Sequence, residues 1–129
     1  MYSIVELKGT DERLANFVYR HWQYRTRSEN PLWAAILKDD EVVAAGHLNL
    51  RSSPALLSTG AVDELYRGQK LQRQLIDYRC ERAKQYLQDV VQIDVHKDNH
   101  ASLKNILACG FKVRSGPNLC GEINLVKTL

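Results

Sequence analysis

A chain of 129 residues is long enough for one domain with one hydrophobic core. Hydrophobic residues make up 44% of it and charged residues 26%, which is ordinary for a soluble globular protein. The formal net charge of +3 is too small to indicate nucleic-acid binding unless the basic residues are concentrated in one patch. We therefore expect a single domain over residues 1–129.

The amino-terminal part of the sequence predicts a strand, a helix and a loop. Apolar and polar residues alternate well enough over residues 2–8 to predict a strand, which ends at Gly9. Thr10 is a good N-cap, and the acidic residues at 11 and 12 suit the first turn of a helix. Residues 25–31 are polar and indicate a loop. The large residues of this predicted helix lie at helical spacing, and they are Leu14, Phe17, Val18, His21 and Trp22.

A hairpin and a third strand are expected next. Residues 32–37 and 42–50 read as two strands around a turn, and the acidic residues 39–41 fit that turn better than a metal site. Gly46 inside the second strand suggests a bulge or a close backbone approach. After a turn at 51–54, residues 56–62 read as another strand. Alternation along 42–50 places on one face Val43, Ala45, His47, Asn49 and Arg51, and on the other Val42, Ala44, Gly46, Leu48 and Leu50.

Residues 62–76 form a basic strand-to-helix turn. Arg67, Lys70 and Arg73 surround the start of an amphipathic helix that reaches about Leu87. The first turn of a helix has unpaired N–H groups and a dipole that favours anions, so this segment is a candidate phosphate cradle. Its spacing fits neither the Walker loop nor the dinucleotide fingerprint. The competing interpretation is an ordinary strand-turn-helix with a solvated basic start.

The carboxyl-terminal part predicts a strand, a short helix and two strands. Val91, Ile93 and Val95 alternate within a strand from Val90 to His96. A short helix follows, and Gly110 ends it as a left-handed cap. Residues 111–113 and 121–126 read as the last strands, around a turn at 116–118. The three cysteines, at positions 80, 109 and 120, have no metal-ligand spacing.

Two segments resemble the signatures of the GNAT N-acetyltransferase superfamily. The first signature is Val-x-Pro-x-Tyr-Arg-Gly-x-Gly-hydrophobic-Gly, and the matching residues are Val62, Tyr66, Arg67, Gly68 and Leu71. Glu64 stands where proline is usual, and Lys70 and Gln72 stand where glycines are usual.

The second signature is Val-x-x-x-Asn-x-x-Ala-x-x-x-Tyr-x-x-x-Gly-Phe. Val95, Asn99, Gly110 and Phe111 match it at the right separations, whereas Ser102 replaces the alanine and Ile106 the tyrosine. The order of the two segments, with a helix and a strand between them, also fits the family.

The resemblance implies an α/β GNAT fold. This fold has a mixed, mostly antiparallel sheet of six to seven strands, flanked by three to four helices, and its parallel central strands splay apart. The gap would admit the pantetheine arm of acetyl-CoA, and the pyrophosphate would rest on backbone N–H groups of residues 68–73. The cofactor-binding residues expected on this basis are Val62, Arg67, Gly68, Gln69, Lys70, Leu71, Gln72, Arg73, Asn99 and Ser102.

The implied reaction is acetyl transfer from acetyl-CoA to a primary amine, which needs a base for the amine and an acid for the leaving thiolate. The family's usual acid is the tyrosine that Ile106 replaces. The strand 56–62, where the family often has a base, offers only Ser58 and Thr59 as polar groups. His47 and His96 are the remaining candidate bases, and His96 ends the strand beside the splay. We therefore expect His96 and Ser58 to be catalytic, with Ser58 orienting a substrate or a water molecule rather than acting as a base. The competing interpretation of His96 is a strand-end residue bonded to a loop, and Asn99 could also cap the next helix.

The leading hypothesis is thus an acetyl-CoA-dependent N-acetyltransferase that acts on an amine of a small molecule or a protein. The alternative is a GNAT-like module that binds CoA or a partner without efficient catalysis. Nucleic-acid binding through the basic helix start is a third and weaker hypothesis. No signal peptide or membrane span is visible, so we expect a cytoplasmic protein with no membrane partner and no metal. The oligomeric state stays open between monomer and homodimer.

Overall fold

The computed structural model describes residues 2–23 and 32–129, so the expected loop at 25–31 lies outside the described residues. A short 3-10 turn, Glu64–Tyr66, follows the fourth strand. In chain order the other elements are β1 (Ser3–Leu7), α1 (Glu12–Trp22), β2 (Leu32–Lys38), β3 (Glu41–Asn49), β4 (Ala55–Val62), α2 (Leu71–Gln85), β5 (Val90–His96), α3 (His100–Ala108), β6 (Lys112–Ser115) and β7 (Glu122–Thr128). The predicted strand bounds agree with these to within two residues, and those of β5 are identical.

The strands form one sheet in the order β1-β2-β3-β4-β5-β7-β6. Every neighbouring pair is antiparallel except β4 and β5, which run parallel. These two strands pair only where Ala55 meets Val91 and Leu56 meets Gln92. Beyond that point they diverge toward their carboxyl ends, so the predicted GNAT architecture with splayed central strands is confirmed.

Helix α1 begins at a different cap from the predicted one. The Asp11 carboxylate accepts hydrogen bonds from the backbone N–H groups of Arg13 at 2.9 Å and Leu14 at 3.4 Å. Thr10 was therefore the wrong N-cap. A carboxylate at the N-cap also interacts favourably with the helix dipole, which adds to the hydrogen bonds. The helix buries Leu14, Phe17 and Val18 against the sheet.

Helix α1 covers one face of the sheet, and α2 and α3 cover the other. On the α1 face, Phe17 and its neighbours pack against Trp33 and Ala35 of β2. On the other face, Leu71 and Leu75 of α2 pack against Ala34 and Ile36 of the same strand. A second cluster on that face joins α2 and α3 to strands β4, β5 and β7. None of the helices in the described residues is long and apolar enough to cross a membrane.

Strand β3 does not keep the strict alternation that its sequence predicts. Ile36 pairs with Ala44 and Leu37 with Val42, so Val43 is an extra residue in a bulge. Val42 consequently packs on the α1 face, whereas Val43 packs with Ala44 on the α2 face. The face assignment of these two valines was wrong because a bulge shifts the two-residue period.

The irregularity expected at Gly46 is confirmed. Gly46 pairs with Gly60 and His47 pairs with Ser58, so the extra residue of this second bulge is Thr59, on the neighbouring strand β4. A Cβ atom at Gly46 would lie 2.6 Å from Cζ of Arg79, which shows the close approach directly.

Candidate acetyl-CoA site

A cavity of about 700 Å³ opens where β4 ends and α2 and α3 begin. Its walls contain every predicted cofactor-binding residue except Gln69, whose side chain instead accepts a hydrogen bond from the Tyr2 hydroxyl. The sequence analysis missed further wall residues, which are Gly60, Ala61, Tyr66, Ala101, Lys104 and Asn105.

Two left-handed residues shape the turn that leads into α2. Gly68 has φ +81, and Lys70, the residue immediately before the helix, has φ +62. Lys70 thus takes the kind of backbone conformation that glycine adopts without strain, at a place where the GNAT signature has a glycine. The N–H groups of residues 71–73, in the first turn of α2, have no partner within the helix and border the cavity.

The cavity is strongly positive. Its walls carry the basic side chains of Arg67, Lys70, Arg73 and Lys104 and no aspartate or glutamate. The amino termini of α2 and α3 both border it, and each contributes a partial positive charge. Lys104 was not expected because the second signature leaves its position unspecified, and because the place of this short helix beside α2 is set by tertiary packing. A dianion or a phosphate group is the kind of ligand that such a cavity suits.

Polar side chains connect α2 to α3 along one wall. The Gln72 amide donates to Oγ of Ser102 at 3.0 Å and accepts from the Asn105 amide at 2.8 Å. Arg73 donates through Nε to the side-chain oxygen Oδ1 of Asn105 at 2.8 Å. Gln72 stands where the family signature has a glycine, and in this chain its side chain joins the two helices.

Asn99 caps α3, as the sequence allowed. Its side-chain oxygen accepts a hydrogen bond from the N–H group of Ser102 at 3.2 Å. Both residues also belong to the cavity wall.

The two predicted catalytic residues lie on different central strands, and neither lines the cavity. Ser58, on β4, is hydrogen-bonded through Oγ to Nδ1 of His47 at 2.8 Å. His96 ends β5 with Nδ1 accepting from the N–H group of Asp98 at 3.1 Å, and its ring lies against Gly121. The structure therefore joins Ser58 to His47, the other candidate histidine, rather than to His96.

His47 has an unusual environment for a histidine. Its ring lies 5.1 Å from the ring of Trp33, and its Nε2 is buried with no hydrogen-bond partner in the described part of the chain. Burial, with the nearby charge of Arg79, lowers the pKa of His47 to about 4. The imidazole is consequently neutral near pH 7, where it can orient the Ser58 hydroxyl but carries no charge.

Ile106 is a core residue. It is 1% exposed and packs in the cluster that joins α3 to the sheet. Because its side chain is a hydrocarbon, it provides no group that could protonate a leaving thiolate. Within residues 2–23 and 32–129, no three histidine, cysteine or carboxylate side chains converge as a metal site would require.

Comparison with solved structures shows which proteins share this fold. The PaiA N-acetyltransferase of Thermoplasma acidophilum, solved with coenzyme A, superposes with a TM-score of 0.79 at 15% identity over 100% of this chain and 99% of that chain. The IAA acetyltransferase of Bacillus cereus gives 0.78 at 18% identity over 100% of both chains. The ribosomal-protein-S18-alanine N-acetyltransferase of Escherichia coli gives 0.75 at 18% identity over 98% and 91%.

At the level of sequence, no curated protein matches the chain. The model of the acetyltransferase (GNAT) family does match, over residues 1–111. That range includes both signature segments and every wall residue of the cavity. The chain therefore belongs to the GNAT acetyltransferase family.

Proposed function

We propose that the protein transfers an acetyl group from acetyl-CoA to a primary amine of a small molecule or a protein. The observation that carries this proposal is the cavity, which combines four basic side chains, no carboxylate and two helix amino termini. Coenzyme A carries a pyrophosphate and a further phosphate, so its charge complements these walls.

The residues present fit such a ligand at both of its ends. The backbone N–H groups of residues 71–73, with Arg67, Lys70 and Arg73, would hold the pyrophosphate. Past Leu56, β4 has no strand partner on its β5 side, so its backbone near Val62 is open to an extended pantetheine arm. When bound, acetyl-CoA would supply an activated thioester carbonyl.

In this reaction the amine nitrogen forms a bond to the acetyl carbon, and the carbon–sulfur bond breaks. The sulfur leaves with the electron pair, and the nitrogen must lose a proton. We propose that Ser58, held by the neutral His47, orients the amine or a water molecule that removes this proton. His96, at the end of the other central strand, stays the second predicted catalytic residue.

A second function has an observation in its favour. The residue in the place of the family's usual acid, Ile106, is buried in the core. A GNAT-like module that binds CoA or a partner without efficient catalysis would need no acid there.

Calorimetry with acetyl-CoA, followed by a screen of amines with detection of released thiol, separates these functions. We expect acetyl-CoA binding and amine-dependent thiol release. Replacing Arg67 with alanine should weaken binding by about tenfold, the usual size of a charge-assisted phosphate contact.

Arg51→Ala is the matched control because it removes the same charge from an exposed turn outside the cavity. Binding without thiol release for any amine would favour the module. Failure to bind acetyl-CoA would contradict the enzyme and the CoA-binding form of the module, and would leave only a module that contacts a partner.

A further inference from the structure

Arg79 of α2 is the only charged side chain that is buried in the described part of the chain, with 2% of its surface exposed. Its Nε donates to the carbonyl oxygen of Leu75, one turn earlier in the helix, at 3.2 Å. Its Nη1 donates to the carbonyl oxygens of His47 at 3.0 Å and Ser58 at 3.2 Å. The guanidinium thus lies against the sheet at the β4 bulge.

Two paired glycines make room for this side chain. A Cβ atom at Gly46 would lie 2.6 Å from Cζ of Arg79, and one at Gly60 would lie 3.5 Å from Nη2. Gly46 and Gly60 face each other across β3 and β4. The sheet therefore has no side chains where the guanidinium packs against it.

The positive charge of Arg79 has no carboxylate partner among the described residues. The titratable groups facing it are His47 and the thiols of Cys80 and Cys109. Burial raises the pKa of both thiols to about 11, so they are neutral near pH 7. Burial also lowers the pKa of Arg79, but only to about 10, so it keeps its charge. A buried cation without a counter-ion is costly and is a candidate for a functional role.

Gly60 connects this charge to the cavity. It belongs to the cavity wall, and Nη2 is the guanidinium nitrogen that approaches it. Of the three β4 residues in that wall, Gly60 is the farthest along the strand from the phosphate-binding turn at Gly68. A chain that extends from the turn along β4 would run toward Gly60 with its far end.

If acetyl-CoA binds as proposed above, the far end of that chain is the thioester. We propose that the buried guanidinium of Arg79, lying behind Gly60, stabilises the negative charge that the CoA sulfur acquires when the acetyl group leaves. The C–S electron pair stays on the sulfur, and Arg79 neither gives nor takes a proton. Because no tyrosine occupies position 106, the leaving group would depart as a thiolate. Arg79 is thus a positioning residue. Its positive charge acts on the sulfur through space, across Gly60.

The test follows the ultraviolet absorbance of the thiolate of protein-bound CoA as the pH is raised. The same titration of the protein without CoA is subtracted. We expect the bound thiol to titrate about one pKa unit or more below free CoA, and Arg79→Met to remove about one unit of that shift. Arg79→Lys keeps a charge while losing the fork of hydrogen bonds, so it should retain more of the shift than Arg79→Met. Arg82→Met, on the same helix but paired with Glu6, is the matched control and should leave the titration unchanged.

A purely structural role would give another pattern, in which lysine and methionine damage folding alike and the bound thiol is unmoved. That result would overturn the proposal, as would a wild-type bound thiol that titrates like free CoA, a measurement that needs no variant to fold. If CoA binds and acetyl transfer proceeds while the thiol is unmoved, this inference fails and the proposed function stands. If CoA does not bind, both fail.

Discussion

Lys70 combines two opposing effects in one residue. Its left-handed backbone, with φ +62, is strained for a side chain with a Cβ atom, and its ammonium group belongs to the wall of a positive cavity. A glycine at this position would be relaxed but uncharged. Lys70 thus lowers the stability of the fold and adds a positive charge to the cavity wall.

Lys70→Gly should therefore stabilise the fold and weaken acetyl-CoA binding. We expect the free energy of unfolding to rise by about 0.5–1 kcal/mol, because glycine adopts positive φ without steric strain. Acetyl-CoA affinity should fall by about tenfold at low salt, and the loss should shrink as salt is raised. Chemical denaturation and calorimetry measure the two effects separately.

Leu87 offers the matched control for Lys70. It also has positive φ, +63, but it follows α2 at the end away from the cavity. Leu87→Gly should give a similar gain in stability with unchanged acetyl-CoA binding. If Lys70→Gly binds acetyl-CoA as tightly as wild type at low salt, the prediction that Lys70 contacts a phosphate is wrong.

At the scale of elements, α2 connects the cavity to the bulge in the sheet. Its first turn borders the cavity, and Arg79, about two turns further on, bonds to β3 and β4 at the bulge. The sheet accepts that side chain because Gly46 lacks a Cβ atom. Packing of α2 on β3 and β4 is therefore sensitive to any added atom at this glycine.

Gly46→Ala should destabilise the protein by about 1–3 kcal/mol, the usual cost of overpacking a core. Its new Cβ would lie 2.6 Å from Cζ of a buried, hydrogen-bonded side chain. The pairing partner provides the control, since a Cβ at Gly60 would make an ordinary 3.5 Å contact with the same guanidinium. Denaturant unfolding of both variants checks this, and an equal cost at the two glycines would contradict the assigned packing.

At the scale of the whole molecule, the half-buried imidazole of His47 couples global stability to acid. Its pKa is lowered from 6.5 to about 4, chiefly by burial. Between these values the unfolded chain binds a proton that the folded chain does not. The stability that depends on neutral His47 is thus complete above about pH 6.5 and is lost as the pH falls toward 4.

We expect this loss to be of the order of 2 kcal/mol in wild type, and His47→Gln should remove much of it. Unfolding free energies measured across that pH window test the point. Asp11, whose pKa is lowered chiefly by the side-chain hydrogen bond from Arg13, loses its contribution in a lower window, below its ordinary value of 3.8. His100→Gln, at an exposed position on α3, is the control, and an equal flattening in that variant would rule out His47 as the source.

Much of the cofactor site could be predicted from the sequence because its determinants are local. A turn glycine, a helix start and a cluster of bases lie within seven residues of one another, so they predict an anion-binding turn wherever the rest of the fold puts it. Nine of the ten expected residues accordingly line the cavity. The exception, Gln69, bonds to Tyr2, which is 67 residues away in the chain, and no local pattern could show that contact.

The sequence by itself thus determined the family, the order of the elements, the basic turn before α2 and the caps at Asn99 and Gly110, since these depend on neighbours in the chain. Tertiary structure alone decided which strands pair and in what register. It placed a bulge at Val43, joined His47 to Ser58 across two strands, and brought Lys104 into the cavity wall. It also buried Arg79 behind Gly60, which a sequence pattern cannot reveal because an arginine on a polar helix reads as solvent-exposed. Register and burial result from packing between distant segments, and that packing exists only in the folded chain.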